Sequence, residues 1–318
     1  MTDYPPLFSV IIPVFNGADR IEQAIQSVRA QSLSSWELII IDDGSTDHTL
    51  ALVEQAAARD PRIRPLRQAN QGPSAARNFG ILAARGRYLA FLDADDAWHP
   101  ERLRAGAGHF AAHPEAGIVF SRVILDVEGA DGKSRVTAHH PSLDVADLLA
   151  ENPVCTTSNM MVRAALVDRI GGFDPLMSHI EDQELLLRAA ATSPWRVEGI
   201  DRALIRYTIA AGTRSSDFSK TEESWHHLMR QARRWCPERS MGSWRLAEAA
   251  FYLNQARRAV RQSGLWATTC GYLARAFRAD PLLVLRTPRR CLFTLGRLSL
   301  NALTQALSRP QPQLKETM

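Results

Sequence analysis

Two hydrophobic periods alternate along the first part of the chain. Largely apolar runs at Phe8–Val14, Trp36–Ile41, Ile63–Leu66 and Tyr88–Leu92 have the length of strands buried on both faces. Between them the apolar residues keep helical spacing: Ile21, Ala24, Ile25 and Val28, then Leu50, Val53, Ala56 and Ala57, then Ala75, Ala76, Phe79, Leu82 and Ala83. Asp19 is placed to cap the first helix, which runs to Gln31, and Ser45 or Thr46 to cap the second. Such alternation predicts a parallel, doubly wound α/β sheet with right-handed crossovers.

After Pro100 the pattern predicts a helix to His113, a strand at Ile118–Leu125, a hairpin partner at Glu128–Thr137 and a short helix at Leu143–Glu151. A strand at Thr156–Val162 and a helix at Ala164–Ile170 follow, then a Gly-Gly turn and a helix opened by Ile180–Glu184. Trp195–Ile200 and Ala203–Ile209 read as the last strands, and Ala210–Ser216 as a loop. From Lys220 onward the spacing is helical, with breaks at Gly264, Asp280–Pro281 and Pro288. The division expected is an α/β domain over 1–219 and a helical region over 220–318.

Composition narrows the setting. The 318 residues are 45% hydrophobic and 23% charged, ordinary values for a globular chain. Cys155, Cys236, Cys270 and Cys291 show no CxxC spacing, which points to neither a cysteine zinc site nor a disulfide framework. A reducing cytoplasm is the simpler setting. The first apolar run is short, broken by Pro13 and lacks a basic flank, so it reads as a strand and not a signal peptide. The net charge of +4 conceals an asymmetry: residues 220–318 hold 17 Lys and Arg against 6 Asp and Glu, net +11, leaving −7 on the first 219. The tail's plain reading is a solvated helical face. Arginines interleaved with Trp266, Leu283, Leu285, Phe293 and Leu295 also suit the inner, anionic face of a membrane. No recognition motif accompanies the charge, so nucleic acid is not an expected partner.

The chemistry gathers at RYLAFLDADDAW, Arg87–Trp98, where a strand ends in Asp93, Asp95 and Asp96. Side chains two apart on an extended chain point the same way, and ligands of open α/β sheets bind beyond the carboxyl ends of strands. Two hard oxygen donors there suit Mg²⁺ or Mn²⁺ with a phosphate completing the shell. A polar turn capping the next helix would use the same residues. Asp42 and Asp43 end the second strand at the same edge. Trp98, beside the acidic loop, is the tryptophan best placed to stack on an acceptor sugar.

Four stretches, FSVIIPVFNGADRIEQAIQSVRAQS, WELIIIDDGSTDHT, NQGPSAARNFGILAARGRYLAFLDADDAWHPERL and GGFDPLMSHIEDQELLLRAA, together spanning residues 8–191, resemble family 2 inverting glycosyltransferases. The resemblance implies a GT-A type nucleotide-diphospho-sugar transferase fold, with 8–102 as its nucleotide-binding half and 103–219 as its acceptor and catalytic half. It further implies transfer of a hexose from a UDP-sugar to a glycan or lipid-linked acceptor in surface polysaccharide synthesis. By that resemblance Pro13, Phe15 and Asn16 line the uridine pocket, Asp42 accepts the uracil imide hydrogen, and Asp43 holds the ribose end. Arg77 and Asn78 contact base or phosphate. Asp93, Ala94 and Asp95 are the family's DxD motif, with Asp93 on the ribose and Asp95 on the Mn²⁺ or Mg²⁺. In the "ED" pair Asp182 is the catalytic base and Glu181 shapes the acceptor site.

One stretch departs from the family. Where members often carry Tyr-Arg-x-His, this chain has Tyr207-Thr208-Ile209-Ala210, with Arg206 and Arg214 as the nearby cations. The missing pair leaves a nucleotide-sugar binder without turnover as an alternative. A nucleotidyltransferase fits less well, because PVFNGADR has no glycine run and a single Arg.

Overall fold

The structure, a computed structural model, describes residues 5–127, 134–209, 217–262 and 265–307. Most of the expected hairpin partner, the loop at 210–216 with Arg214, the Gly264 break and the last residues lie outside these.

Strands β1 (Phe8–Val14), β2 (Trp36–Asp42), β3 (Ile63–Arg67) and β4 (Tyr88–Phe91) alternate with helices α1 (Ile21–Arg29), α2 (Thr49–Arg59) and α3 (Pro73–Ala83). Every residue of β1, β2 and β4 is buried, which is why their sequences are apolar without alternation. Helix α1 turns Ile21, Ala24, Ile25 and Val28 into the core. Helix α3 lies tight on the sheet: a Cβ at Gly80 would stand 2.6 Å from Ile11 Cγ2 and 2.8 Å from Ile41 Cδ1. The helix starts differ from the caps expected. Asp19 accepts from the Arg20 side chain, and Asp47 accepts from Thr49 N at the start of α2. Ser45 and Thr46 are used instead to tie the loop after β2 to Asn16.

The chain continues through β5 (Ala97–Trp98), α4 (Arg102–Ala112), β6 (Ala116–Val127), β7 (Arg135–Val136), β8 (Ser142–Leu143) and α5 (Val145–Ala150). A 3₁₀ turn at Thr157–Asn159 precedes β9 (Met161–Arg163), then α6 (Ala164–Ile170), α7 (Glu181–Thr192), β10 (Arg196–Ile209) and α8 (Phe218–Trp235). The strand expected over Thr156–Val162 is therefore mostly this turn. Its polar residues are satisfied from a distance: Asn159 accepts from Ser121 N and donates to Ser121 O and Val154 O. The two last strands expected are one, with register shifts around the exposed Asp201 and Arg202.

The sheet order is β3-β2-β1-β4-β9-β6-β10-β5, with β7 on β6 and β8 on β10. Pairs among β1 to β4 are parallel, and β10 is parallel to β6, while β9 runs antiparallel between β4 and β6. The result is a mixed sheet whose β1, β2 and β4 all end at one edge.

The chain divides into two compact units, 1–148 with 152–237, and 149–151 with 238–318. Helix α8 thus belongs to the first, and the division falls after Pro237 rather than after residue 219. The second unit comprises α9 (Met241–Ala259), α10 (Trp266–Ala279), α11 (Leu283–Arg286) and α12 (Pro288–Leu307). It buries Trp244, Phe251, Tyr252, Tyr272 and Leu273, and leaves Trp266, Leu282, Leu285, Leu292 and Phe293 exposed. Among the described residues no helix is long and apolar enough to cross a membrane.

Candidate functional site

Parallel register brings the acidic strand ends together. Val14 pairs with Asp42 and Ile11 with Phe91, so the loops after β1, β2 and β4 open on one crevice. Pro13 is buried in β1; Phe15 is half exposed beyond it. Asn16 adopts a positive φ of 48°. Its side-chain Oδ1 accepts from Thr46 N at 2.9 Å, and its own N donates to Ser45 Oγ at 2.9 Å. Asn16 thereby pins the two loops that flank the crevice through its Oδ1 and its backbone N–H.

Asp42 is buried. Its Oδ1 accepts from Ser45 N, and its Oδ2 lies 3.3 Å from Arg67 Nε without hydrogen-bond geometry. A buried carboxylate oxygen lacking a hydrogen-bond partner is ready to accept an N–H. Asp43 differs from the ribose contact expected: it accepts from Gln68 Nε2, Gln71 N and Gly72 N. Its work is to fold the loop that leads into α3.

Arg77 and Asn78 also stand apart from the expected contacts to base or phosphate. The Arg77 guanidinium is fully buried and donates to Asp93 Oδ1 at 2.6 Å and to Glu181 Oε1 at 2.9 Å. Burial disfavours its charge, but the two carboxylates more than offset this and raise its pKa. Asn78 donates to Phe173 O and accepts from Phe173 N, each at 2.8 Å. It clamps the Gly-Gly turn against α3. Glu181 is likewise buried and binds Arg77. Trp98 is 5% exposed and donates its Nε1 to Ser158 O. It is a core residue, not a sugar platform.

Three carboxylates remain at the crevice after β4. Asp93 is partly exposed and bound by Arg77. Ala94 packs beside Gly17 and the core. Asp95 is exposed, 3.7 Å from Arg20 Nη1. Asp96 is buried, its Oδ2 has no hydrogen-bond partner, and burial with the charges of Asp93 and Asp95 pushes its pKa well up. Crowded carboxylates of this kind lower their mutual repulsion by taking a proton or a cation. Oxygen-only donors are the kind a hard divalent ion takes, although the three acids do not each bring a ligand atom to within 4.8 Å of the others as they stand.

Asp182 opens helix α7 from the other side. Burial, then the neighbouring Glu181 charge, raise its pKa to about 6, against hydrogen bonds from Gln183 N and Asn152 Nδ2. Tyr207 joins the two groups. Burial, then the charges of Asp96, Asp93, Asp95 and Asp182, push its phenol up to about 12, so the acids after β4 and Asp182 act on a common group. In the sequence Tyr207 stands out only as part of a departing motif, and the Asn152 contact carries no sequence signal. Arg206 turns away to Asp126 Oδ2 at 2.6 Å. Cavities of about 380 and 500 Å³, lined by residues such as Leu7, Arg85, Arg87 and Arg163, lie at the strands' beginnings and away from these acids.

The sequence matches the profile of Glycosyl transferase family 2 over residues 9–171. An uncharacterized glycosyltransferase of Nostoc, alr2836, is 36% identical over 53% of this chain and 54% of its own length. The putative teichuronic acid biosynthesis glycosyltransferase TuaG of Bacillus subtilis is 45% identical over 32% of this chain and 41% of its own. The chain thus spans about half the length, or less, of these curated relatives. Among solved structures, S. aureus TarS 1-349 in complex with UDP-GlcNAc aligns with a TM-score of 0.63 at 19% identity, over 96% of this chain and 93% of that one. That likeness is one of fold, and the fold is GT-A.

Proposed function

The chain belongs to glycosyl transferase family 2, and from that premise we propose that it transfers a hexose, with inversion, from a UDP-sugar to a hydroxyl of a glycan or lipid-linked acceptor. Relatives named for teichuronic acid and succinoglycan biosynthesis support surface polysaccharide as the setting. The complex of TarS with UDP-GlcNAc supports a uridine nucleotide, as does the Asp42 oxygen that has Arg67 beside it but no hydrogen-bond donor.

The reading rests on Asp93, Asp95, Asp96 and Asp182 all lying near enough to Tyr207 for their charges to raise its pKa. This supports a base and an acidic strand end sharing one crevice. In the reaction proposed, Asp182 takes the acceptor's proton as that oxygen bonds to the anomeric carbon. The bond from that carbon to the phosphate oxygen breaks, and its electron pair leaves on UDP. A pKa of about 6 leaves Asp182 ionised at neutral pH yet basic enough to share the proton. Asp95, with Asp93 beside it, would hold a Mg²⁺ or Mn²⁺ ion, which supplies positive charge for the diphosphate. We place the protein at the cytoplasmic face of a membrane. The exposed apolar residues of α10 to α12, flanked by Arg289 and Arg297, are the surface that would meet anionic lipid.

The test is UDP release from a panel of UDP-sugars with Mn²⁺, in wild type and Asp182→Asn. Turnover lost in the variant, with UDP binding retained, supports the reading. UDP binding with no wild-type turnover on any acceptor would favour a binder without catalysis.

A further inference from the structure

At the other end of the sheet lies a second cluster of metal-binding groups. His109 and His113 stand four residues apart at the C-terminal end of α4, so both project from one helix face. Glu198 is near the start of β10 and is buried. His109 Nε2 lies 2.8 Å from Glu198 Oε2, and His113 Nδ1 lies 3.6 Å from the same oxygen. The three donor atoms all fall within 4.8 Å of one another. Glu115 Oε1, 3.6 Å from His113 Nδ1 and exposed, is in place as a fourth. Nine positions of β10 separate Glu198 from Tyr207, about 30 Å at the rise of a strand, so this cluster is distinct from the crevice.

We propose that His109, His113 and Glu198 bind a zinc ion that fastens α4 to β10. Two imidazoles and a carboxylate are a zinc donor set, whereas Mg²⁺ prefers oxygen alone. Zinc bonds of ~2.1 Å in a tetrahedron put ligand atoms ~3.4 Å apart. The present spacings straddle that value, and small side-chain rotations close the shell. Charge points the same way. The imidazoles are stacked, with centroids 4.3 Å apart and planes 19° from parallel. Glu198 sets a buried carboxylate beside them, and a buried negative charge needs a countercharge. A divalent ion supplies it, at a helix C-terminus that already favours a cation.

The test uses the full chain, stripped with chelator and titrated with zinc by calorimetry and thermal melting. We expect one zinc per chain and a raised melting temperature, with an excess of Mg²⁺ unable to compete. His113→Gln, at a half-exposed position that should fold, is expected to weaken zinc at least tenfold, and His109→Gln likewise, while Asp95→Asn keeps the site. Cobalt in place of zinc should give the visible absorption of a tetrahedral centre in wild type and not in His113→Gln. Absence of zinc uptake, or uptake unchanged in both histidine variants, would overturn the site and leave a hydrogen-bonded pair between helix and strand.

Discussion

Replacing Arg77 by Met separates a countercharge from a ligand contact. The guanidinium is 1% exposed and binds both Asp93 and Glu181, the latter 104 positions along the chain from Arg77. Methionine fills much of the same volume but strips a 3%-exposed Glu181 of its cation. Breaking one partner of a buried ion pair costs about 3–5 kcal/mol. At a urea slope of roughly 3 kcal/mol per molar, the unfolding midpoint falls by about 1 M or more. Adding Glu181→Gln removes the stranded charge, so the double variant should recover a large part of the loss, a coupling above 1 kcal/mol. Function moves too. The Arg77 charge holds Asp182 down, so its removal lets that carboxyl rise above about 6 and shifts the acidic limb of kcat/KM to higher pH. If Arg77 instead grips the nucleotide, the single variant loses UDP affinity and keeps its stability. A midpoint change worth less than about 1 kcal/mol, or no recovery in the double variant, refutes the countercharge role.

Activity of the wild type should rise through a pH near 6, because Asp182 must be ionised to take a proton; a limb near 4 would argue against it. The same raised pKa has a stability consequence with a definite sign. The folded state holds more protons than the unfolded one between pH 4 and 6, so stability falls as pH rises through that window, and Asp182→Asn, measured by urea midpoint at pH 8, should exceed wild type while turnover is lost. Asp42→Asn turns an amide N–H toward the uracil imide and should weaken UDP by roughly 10- to 100-fold in calorimetry, leaving the fold intact by circular dichroism. Gly80→Ala drives a methyl to 2.6 Å from Ile11 Cγ2 and should cost about 1–3 kcal/mol, read as a lower melting temperature. In co-sedimentation with anionic vesicles, Leu285→Asp with Phe293→Asp should reduce binding; equal binding would leave α11 and α12 as a solvated face.

The parts of the fold legible in the sequence are those where local pattern and burial agree. β1, β2 and β4 are buried on both faces, so their apolar runs could be nothing else, and the acids that end them follow from strand position alone. Legibility fails where a polar residue is answered from far away. Asn159 and Ser121, 38 positions apart, make a turn where spacing predicted a strand. Arg77, Asn78 and Glu181 carry chemistry that suits a ligand, and only the fold reveals that their partners are one another and Phe173. Asp43 is the same case with loop amides as partners. This sorting changes what the crevice is. With Arg77 held by two carboxylates, the acids near Tyr207 would, on the function proposed, face a ligand that is itself a diphosphate. Like charge on like charge excludes it unless a cation enters with it. UDP should therefore bind in calorimetry with Mn²⁺ or Mg²⁺ and fail to bind in chelator, and equal affinity in both would mean that the acids at the end of β4 serve the loop and not the nucleotide.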